Sequence, residues 1–249
     1  MDFVEILEHH LLDHKIAKLF TIGHHTVYLT THNLMMTIAS VLLVALLLLA
    51  RRQSGAVAIG WANFFEVFIV YVRDEIVRPN LGEAGDKYLP YFLTLFFFIL
   101  LCNLLGLVPF GATATGNIAV TAAMAFTTFL MINIAGVSEL GFVHYMQTYI
   151  PHGLPFWLVP LMFVIEILGL FTKSFALCIR LFANMIAGHI VILAFLGLIF
   201  IFHSVFIAPI SIAAAVGLGL LELFVAFLQA YVFTLLTAVF VGGAVNPQH

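Results

Sequence analysis

The sequence predicts an all-α polytopic membrane protein. It has about five membrane-crossing helices, the last two forming a long, steeply tilted hairpin, and one further helix lies at the interface. Three observations carry this prediction. Of 249 residues, 63% are hydrophobic and only 8% charged, against roughly 25% charged in an ordinary globular domain. Apolar runs of about 20 residues, the length needed to cross hydrocarbon, recur along the chain. The last two runs, Phe156–Phe202 and Ser204–Val241, extend over 47 and 38 residues without a polar turn cluster. The formal charge of −3 is too small to imply a nucleic-acid partner.

Residues 1–32 form a polar, amphipathic lead-in that holds His9, His10, His14, His24, His25 and His32. Their spacing matches no closed metal site, and no apolar core of the signal-peptide type precedes them, so cleavage is not expected. Residues 33–249 are expected to be a single transmembrane bundle. Its first span is about 33–50, stopped by Arg51 and Arg52. Residues 57–80 contain only a short apolar run, Val67–Val72, and Asn63, Glu66, Arg73 and Asp74 share one helical arc. This is the pattern of an interfacial helix, ended by Pro79, Asn80 and Gly82.

Further spans follow at about 88–108 and 118–137, joined by a turn at Pro109 and "FGATATGN". Residues 138–155 read as a surface connection. As helices, the two final runs would be about 70 Å and 57 Å long, about twice the ~30 Å of hydrocarbon. A break inside either run would free backbone groups in a medium that cannot satisfy them, which favours a tilted hairpin with its tip near His203–Pro209. Arg51, Arg52, Arg73, Arg78 and Lys87 all flank one side, which places residues 51–87 and the C-terminus inside and the N-terminus outside. Cys102 and Cys178 lie in apolar runs and are expected to be buried free thiols.

After residue 140 the formal charges are Glu166, Lys173, Arg180 and Glu222. Each costs at least ~2.5 kcal/mol at a helix centre, so each is a candidate functional residue. Glu166, Lys173 and Arg180 step by seven and share a face, with Asn184 nearby. His189, nine residues after Arg180, lies on the opposite face. Glu222 and Gln229 also step by seven. Across an antiparallel hairpin, partners keep a constant index sum: Arg180 with Gln229 gives 409 and His189 with Glu222 gives 411. One register therefore brings both polar pairs to matching depths. The agreement in depth does not itself establish contact, and structural salt bridges remain the plain alternative. An arginine keeps its charge at physiological pH and can hold a carboxylate but not relay a proton. Histidine and a desolvated glutamate can relay one. A fixed cation near such a pair suggests a proton path with a gate.

The strings "IRLFANMIAGHI" (179–190) and "LELFVAFLQAYVFTLLTAVFV" (221–241) resemble the two signature helices of subunit a of F-type ATP synthases, and "LCNLLGLVPF" (101–110) resembles an earlier loop of that family. The resemblance implies a membrane stator that gives two proton half-channels to a rotating ring of c subunits, coupling proton flow to ATP synthesis. It implies that Arg180 separates the channels, that His189, Glu222 and Asn184 line the entry path, that Gln229 accompanies the arginine, and that Glu166 serves the exit. Many bacterial members carry the acid on the first helix and the imidazole on the second; here the order is reversed. Implied partners are the c ring, subunit b of the peripheral stalk, the rest of the synthase and the lipid bilayer. The implied location is the bacterial inner membrane.

Ala183, Ala187 and Gly188 are small enough to let a ring helix approach, although ordinary helix packing accounts for them equally. No cofactor or nucleotide motif is present, since neither G-x-x-x-x-G-K-[ST] nor G-x-G-x-x-G occurs, so ATP chemistry is expected on other chains. Two rival readings are a self-contained ion transporter, which would need a substrate cavity and usually an internal repeat, and a bis-histidine haem protein built on His189 and His203.

Overall fold

The structure, a computed structural model, describes residues 15–22, 25–53, 61–108, 113–149, 155–202 and 208–247. Two strands, β1 (Lys15–Ile22) and β2 (His25–Thr30), form an antiparallel pair in which Ile22 stands opposite His25 and Lys15 opposite Thr30. The lead-in reading did not include this hairpin. Its β-branched and aromatic residues, among them Ile16, Phe20, Val27 and Tyr28, account for it. His9, His10, His14 and His24 lie outside the described residues.

Helices follow. The first, α1 (Thr31–Gln53), is succeeded by α2 (Trp61–Tyr71), a π-helical stretch (Val72–Val77) and the short α3 (Arg78–Leu81). Gly82, at φ +64°, ends this region in the left-handed conformation that glycine adopts without penalty. Next come α4 (Gly85–Leu107), α5 (Ile118–Leu140), α6 (Phe142–Thr148), α7 (Val159–Phe202) and α8 (Ala208–Val245). Among the described residues, five segments are long and apolar enough to cross a membrane. The final two helices run unbroken for 44 and 38 residues. Each is therefore about 57–66 Å long, and neither fits upright within ~30 Å of hydrocarbon. Of the tip expected near His203–Pro209, residues 203–207 lie outside the described residues, as do residues 109–112 at the start of the turn expected at Pro109.

The connection 138–155 is more than surface: it carries α6, and Tyr145 within it is only 2% exposed. Cys102 and Cys178 are buried and neither is in a disulfide, as expected.

Two compact units divide the chain. The first comprises Met1–Leu47, Phe97–Thr121 and Arg180–Ala230; the second comprises Leu48–Phe96, Ala122–Ile179 and Tyr231–His249. Within the second unit, Lys87 on α4 reaches Glu139 on α5 at 2.8 Å, and Tyr88 donates to the same carboxylate oxygen at 2.8 Å. Arg73, Asp74, Arg78 and Asp86 make a surface ion-pair network across α3. Phe68 stacks on Phe96, and Tyr71 meets Tyr231.

Within the first unit, α7 and α8 meet side by side through two polar contacts. His189 Nδ1 lies 2.7 Å from Glu222 Oε1, and Asn184 Nδ2 donates to Gln229 Oε1 at 2.8 Å. The index sums of these pairs are 411 and 413, within four of the 409 and 411 read from the sequence. The register read from the sequence is thus realised for His189 with Glu222. Gln229 takes Asn184, four residues beyond Arg180, rather than Arg180 itself. In a variant with Cys102 and Cys178 replaced by alanine, cysteines at 189 and 222 should form a disulfide readily under mild oxidation, whereas cysteines at 189 and 229 should not. Preferential bridging of the 189–229 pair would contradict this register.

Candidate proton-transfer site

The site in the first unit is assembled from three helices and one turn. Helix α7 supplies His189 and α8 supplies Glu222. Their side chains are 23% and 5% exposed, so the pair is largely withdrawn from the surface. Both oxygen neighbours of His189 Nδ1, the Glu222 carboxylate at 2.7 Å and the Met185 carbonyl at 3.1 Å, are acceptors while the carboxylate is ionised. Nδ1 therefore carries the ring hydrogen in that state. On the other edge of the ring, Nε2 faces Thr113 Oγ1 at 2.7 Å and the Gly106 carbonyl at 3.2 Å.

The turn after α4 is held by its own polar network. Thr115 donates to Asn103 Oδ1 at 2.8 Å, and Asn103 Nδ2 donates to the Ala226 carbonyl of α8 at 3.3 Å. Thr113, Thr115 and Asn103 are all buried. These three residues were not singled out from the sequence. The signal available was "TAT" in an apolar context after a string already notable for its resemblance.

Gly188 has a role that its size alone did not reveal. A Cβ placed there would lie 2.6 Å from Glu222 Oε1 and 2.8 Å from its carboxyl carbon. Gly188 is therefore the space in which the carboxylate sits beside His189, rather than only a smooth patch for an approaching helix.

Arg180 and Asn184 are both exposed, as are Ala183 and Ala187. Among the described residues, no hydrogen bond or ion pair engages the Arg180 guanidinium. It pairs with neither Glu222, which His189 takes, nor Gln229. Gln229 is 1% exposed, and its Nε2 has no partner among the described residues. The opposed faces expected for Arg180 and His189 are observed, since one is exposed and the other turns toward α8.

Glu166 and Lys173 belong to the second unit. They line a cavity of about 760 Å³ together with Arg78, Asn80, Tyr149 and Asn246. The Lys173 ammonium stands 5.6 Å from the centre of the Phe240 ring. Tyr149 donates to the hydroxyl of Tyr145, which donates to Asn133 Oδ1 at 3.3 Å. Burial, followed by that bond to Tyr145, pushes the Tyr149 hydroxyl well above its ordinary range, so Tyr149 stays protonated as a donor.

With this geometry in place, comparison with known proteins is decisive. A family described as ATP synthase A chain matches residues 33–242. The chain belongs to the ATP synthase A chain family. It is 48% identical over 225 residues to an ATP synthase subunit a of Myxococcus xanthus, covering 89% of this chain and 74% of that protein. It is 42% identical over 254 residues to an ATP synthase subunit a 2 of Chlorobaculum tepidum, covering 96% and 72%. A third subunit a, from Anaeromyxobacter, is 46% identical over 240 residues, and this chain spans 59% of its length. The match of residues 33–242 takes in Glu166, Arg180, Asn184, His189, Glu222 and Gln229 and leaves out β1 and β2.

In a helix interior alanine is more favourable than glycine, so Gly188→Ala should fold and assemble. The new methyl must push the Glu222 carboxylate off His189. A displacement of about 1 Å is enough to cost on the order of tenfold or more in transfer rate. Proton uptake by membranes containing the assembled variant should fall by that order. Native uptake would mean that the contact between His189 and Glu222 is dispensable.

Proposed function

We propose that this chain is the stator of a rotary ATP synthase, providing two half-channels through which protons reach and leave a ring of c subunits. His189 and Glu222 form the titratable core of the entry path, with Asn184 and Gln229 beside it. Arg180 is the fixed charge that separates entry from exit. Glu166 serves the exit, in the cavity that also holds Lys173. The exposed, unpartnered Arg180 carries this reading. Lipid could cover the apolar residues around it, since the spans within α7 and α8 are only 11% and 17% buried inside the chain. Lipid cannot satisfy a guanidinium and an amide side by side. A carboxylate presented by another membrane subunit can.

The magnitude suits a motor. At ~4 Å and an effective dielectric of about 20, an arginine attracts a carboxylate by ~4 kcal/mol. That is enough to hold the ionised form beside the stator. It is also comparable with the ~2.3 kcal/mol that about 100 mV supplies per charge, so the contact can break at each step. ATP chemistry lies on other chains, and the implied neighbours are the c ring, subunit b of the peripheral stalk and the bilayer of a bacterial inner membrane. The basic residues Arg73, Arg78 and Lys87 support an inside location for 51–87 and the C-terminus, an outside N-terminus, and an interfacial setting for α2 and α3. Cysteine labelling from each side of sealed vesicles should reach the N-terminus only from outside; labelling from inside would overturn this orientation.

The gate is tested by two substitutions. Arg180→Lys keeps a charge but replaces a broad, permanently charged fork with a point charge that can lose its proton when desolvated. It should assemble yet fail to couple proton flow to ATP synthesis. Arg180→Ala should assemble and leak protons passively through membranes stripped of the catalytic heads, because ring carboxylates could then exchange between channels without rotation. Robust ATP synthesis by the lysine variant, or a proton-tight alanine variant in the full complex, would refute the gate.

A further inference from the structure

We propose that Thr113 is a working part of the proton entry path: its hydroxyl serves His189 Nε2 in both protonation states of the ring. The inference rests on the relay reading of His189 and Glu222 and extends it to a residue outside the two signature helices.

The argument begins with what Nε2 can meet. Its neighbours are Thr113 Oγ1 at 2.7 Å and the Gly106 carbonyl at 3.2 Å. A carbonyl only accepts, whereas a hydroxyl both donates and accepts. When the ring is neutral with its hydrogen on Nδ1, Nε2 presents a lone pair, and Thr113 alone can donate to it. When a proton has been added at Nε2, the new N–H donates to Thr113, with Gly106 as a second acceptor. The hydroxyl turns about its C–O bond and keeps its own hydrogen throughout. The added proton comes from water in the path; the ring then passes its Nδ1 hydrogen to Glu222 and keeps the added one on Nε2, where it donates to Thr113. With the carbonyl alone, the neutral ring would face oxygen lone pairs with its own lone pair and would be left with a buried, unsatisfied acceptor.

The placement of Thr113 is built into the fold. Gly106 has no side chain, and a Cβ there would collide with Thr113 Oγ1 and with its methyl carbon, the latter at 2.7 Å. The missing side chain lets the threonine lie against α4 with its oxygen directed at the ring. The Thr113 carbonyl accepts from Gly116 N at 2.9 Å, which closes the turn. Two residues on, Thr115 is tied through Asn103 to the α8 backbone at Ala226. Thr113 itself is 7% exposed. A small polar turn is thus pinned at several points so that one hydroxyl meets one ring nitrogen.

The test uses the full synthase in inverted membrane vesicles, with proton uptake read after removal of the catalytic heads and assembly checked by subunit content. Thr113→Ser keeps the hydroxyl and loses a methyl; Thr113→Val keeps the shape and loses the hydroxyl. The serine variant should stay near the native rate and the valine variant should fall by about tenfold or more. A packing role predicts the reverse order, and that order would overturn the proposal. If valine prevents assembly, comparison of Thr113→Ala with Thr113→Ser isolates the oxygen; equal rates would overturn it as well. Adding Thr113→Val to His189→Ala should cost nothing further, because both act at one nitrogen. An additional loss there would show that Thr113 acts elsewhere. His189→Ala at the native rate would sink the relay reading itself, and this inference with it. A slow His189→Ala beside a native-rate Thr113→Val would sink the Thr113 inference alone.

Discussion

A charge inside hydrocarbon must find a partner, lose its proton or reach water, because the medium offers no other compensation. The C-terminal part of this chain is organised by that constraint. Glu222 is met by His189 at 2.7 Å. Lys173 stands over the ring of Phe240 and lines a cavity of about 760 Å³ with Glu166. Arg180 is the exception: it is exposed, on an apolar helix, and among the described residues nothing answers it. The group unmet among the described residues is the one side chain of the four that cannot become neutral, which is why the proposed function gives it a carboxylate from another subunit.

The same constraint explains the glycines and threonines around the relay. A carboxylate and an imidazole can approach within hydrogen-bond distance between two helices only if the backbone yields room, and Gly188 yields it to Glu222. A polar turn can sit at depth only if its own groups are satisfied, and Thr115 and Asn103 provide this for the turn that carries Thr113. Small and hydroxyl-bearing residues here are the conditions under which one titratable pair can be buried without orphaning its neighbours.

Much of this was legible in the sequence because hydrocarbon imposes length and composition directly. The five apolar segments, the continuity of the last two helices and the buried thiols follow from runs that a reader can count. The register of His189 with Glu222 was legible from index sums, because two helices joined by a short turn have one degree of freedom along their axes. Contacts that depend on side-chain direction were not legible. Gln229 bonds to Asn184, one helical turn beyond Arg180 and near the same face, because the realised index sums of 411 and 413 set the two helices a few residues away from the 409 of Arg180 with Gln229. Thr113 was hidden for a related reason: it lies in a turn without periodicity, and its partner is 76 residues away. The hairpin at Lys15–Thr30 was hidden by its histidines and lysines, which read as a polar lead-in, while the β-branched residues between them set the local structure.

The opposed placement of Arg180 and His189 also has an electrostatic reason. A cation about 4 Å from the imidazole would oppose its protonation by ~4 kcal/mol at an effective dielectric of 20, enough to silence a relay. Nine residues of helix put about 13.5 Å of axial rise between the two positions, and half a turn puts them on opposite faces. At that separation the repulsion falls to ~1 kcal/mol under the same dielectric. In the function proposed above, the arginine stays permanently charged on the exposed face while the histidine would gain and lose protons on the face that meets α8. Under the proposed function, one helix would carry a group that never titrates and a group that titrates, with a spacing that keeps the first from disabling the second.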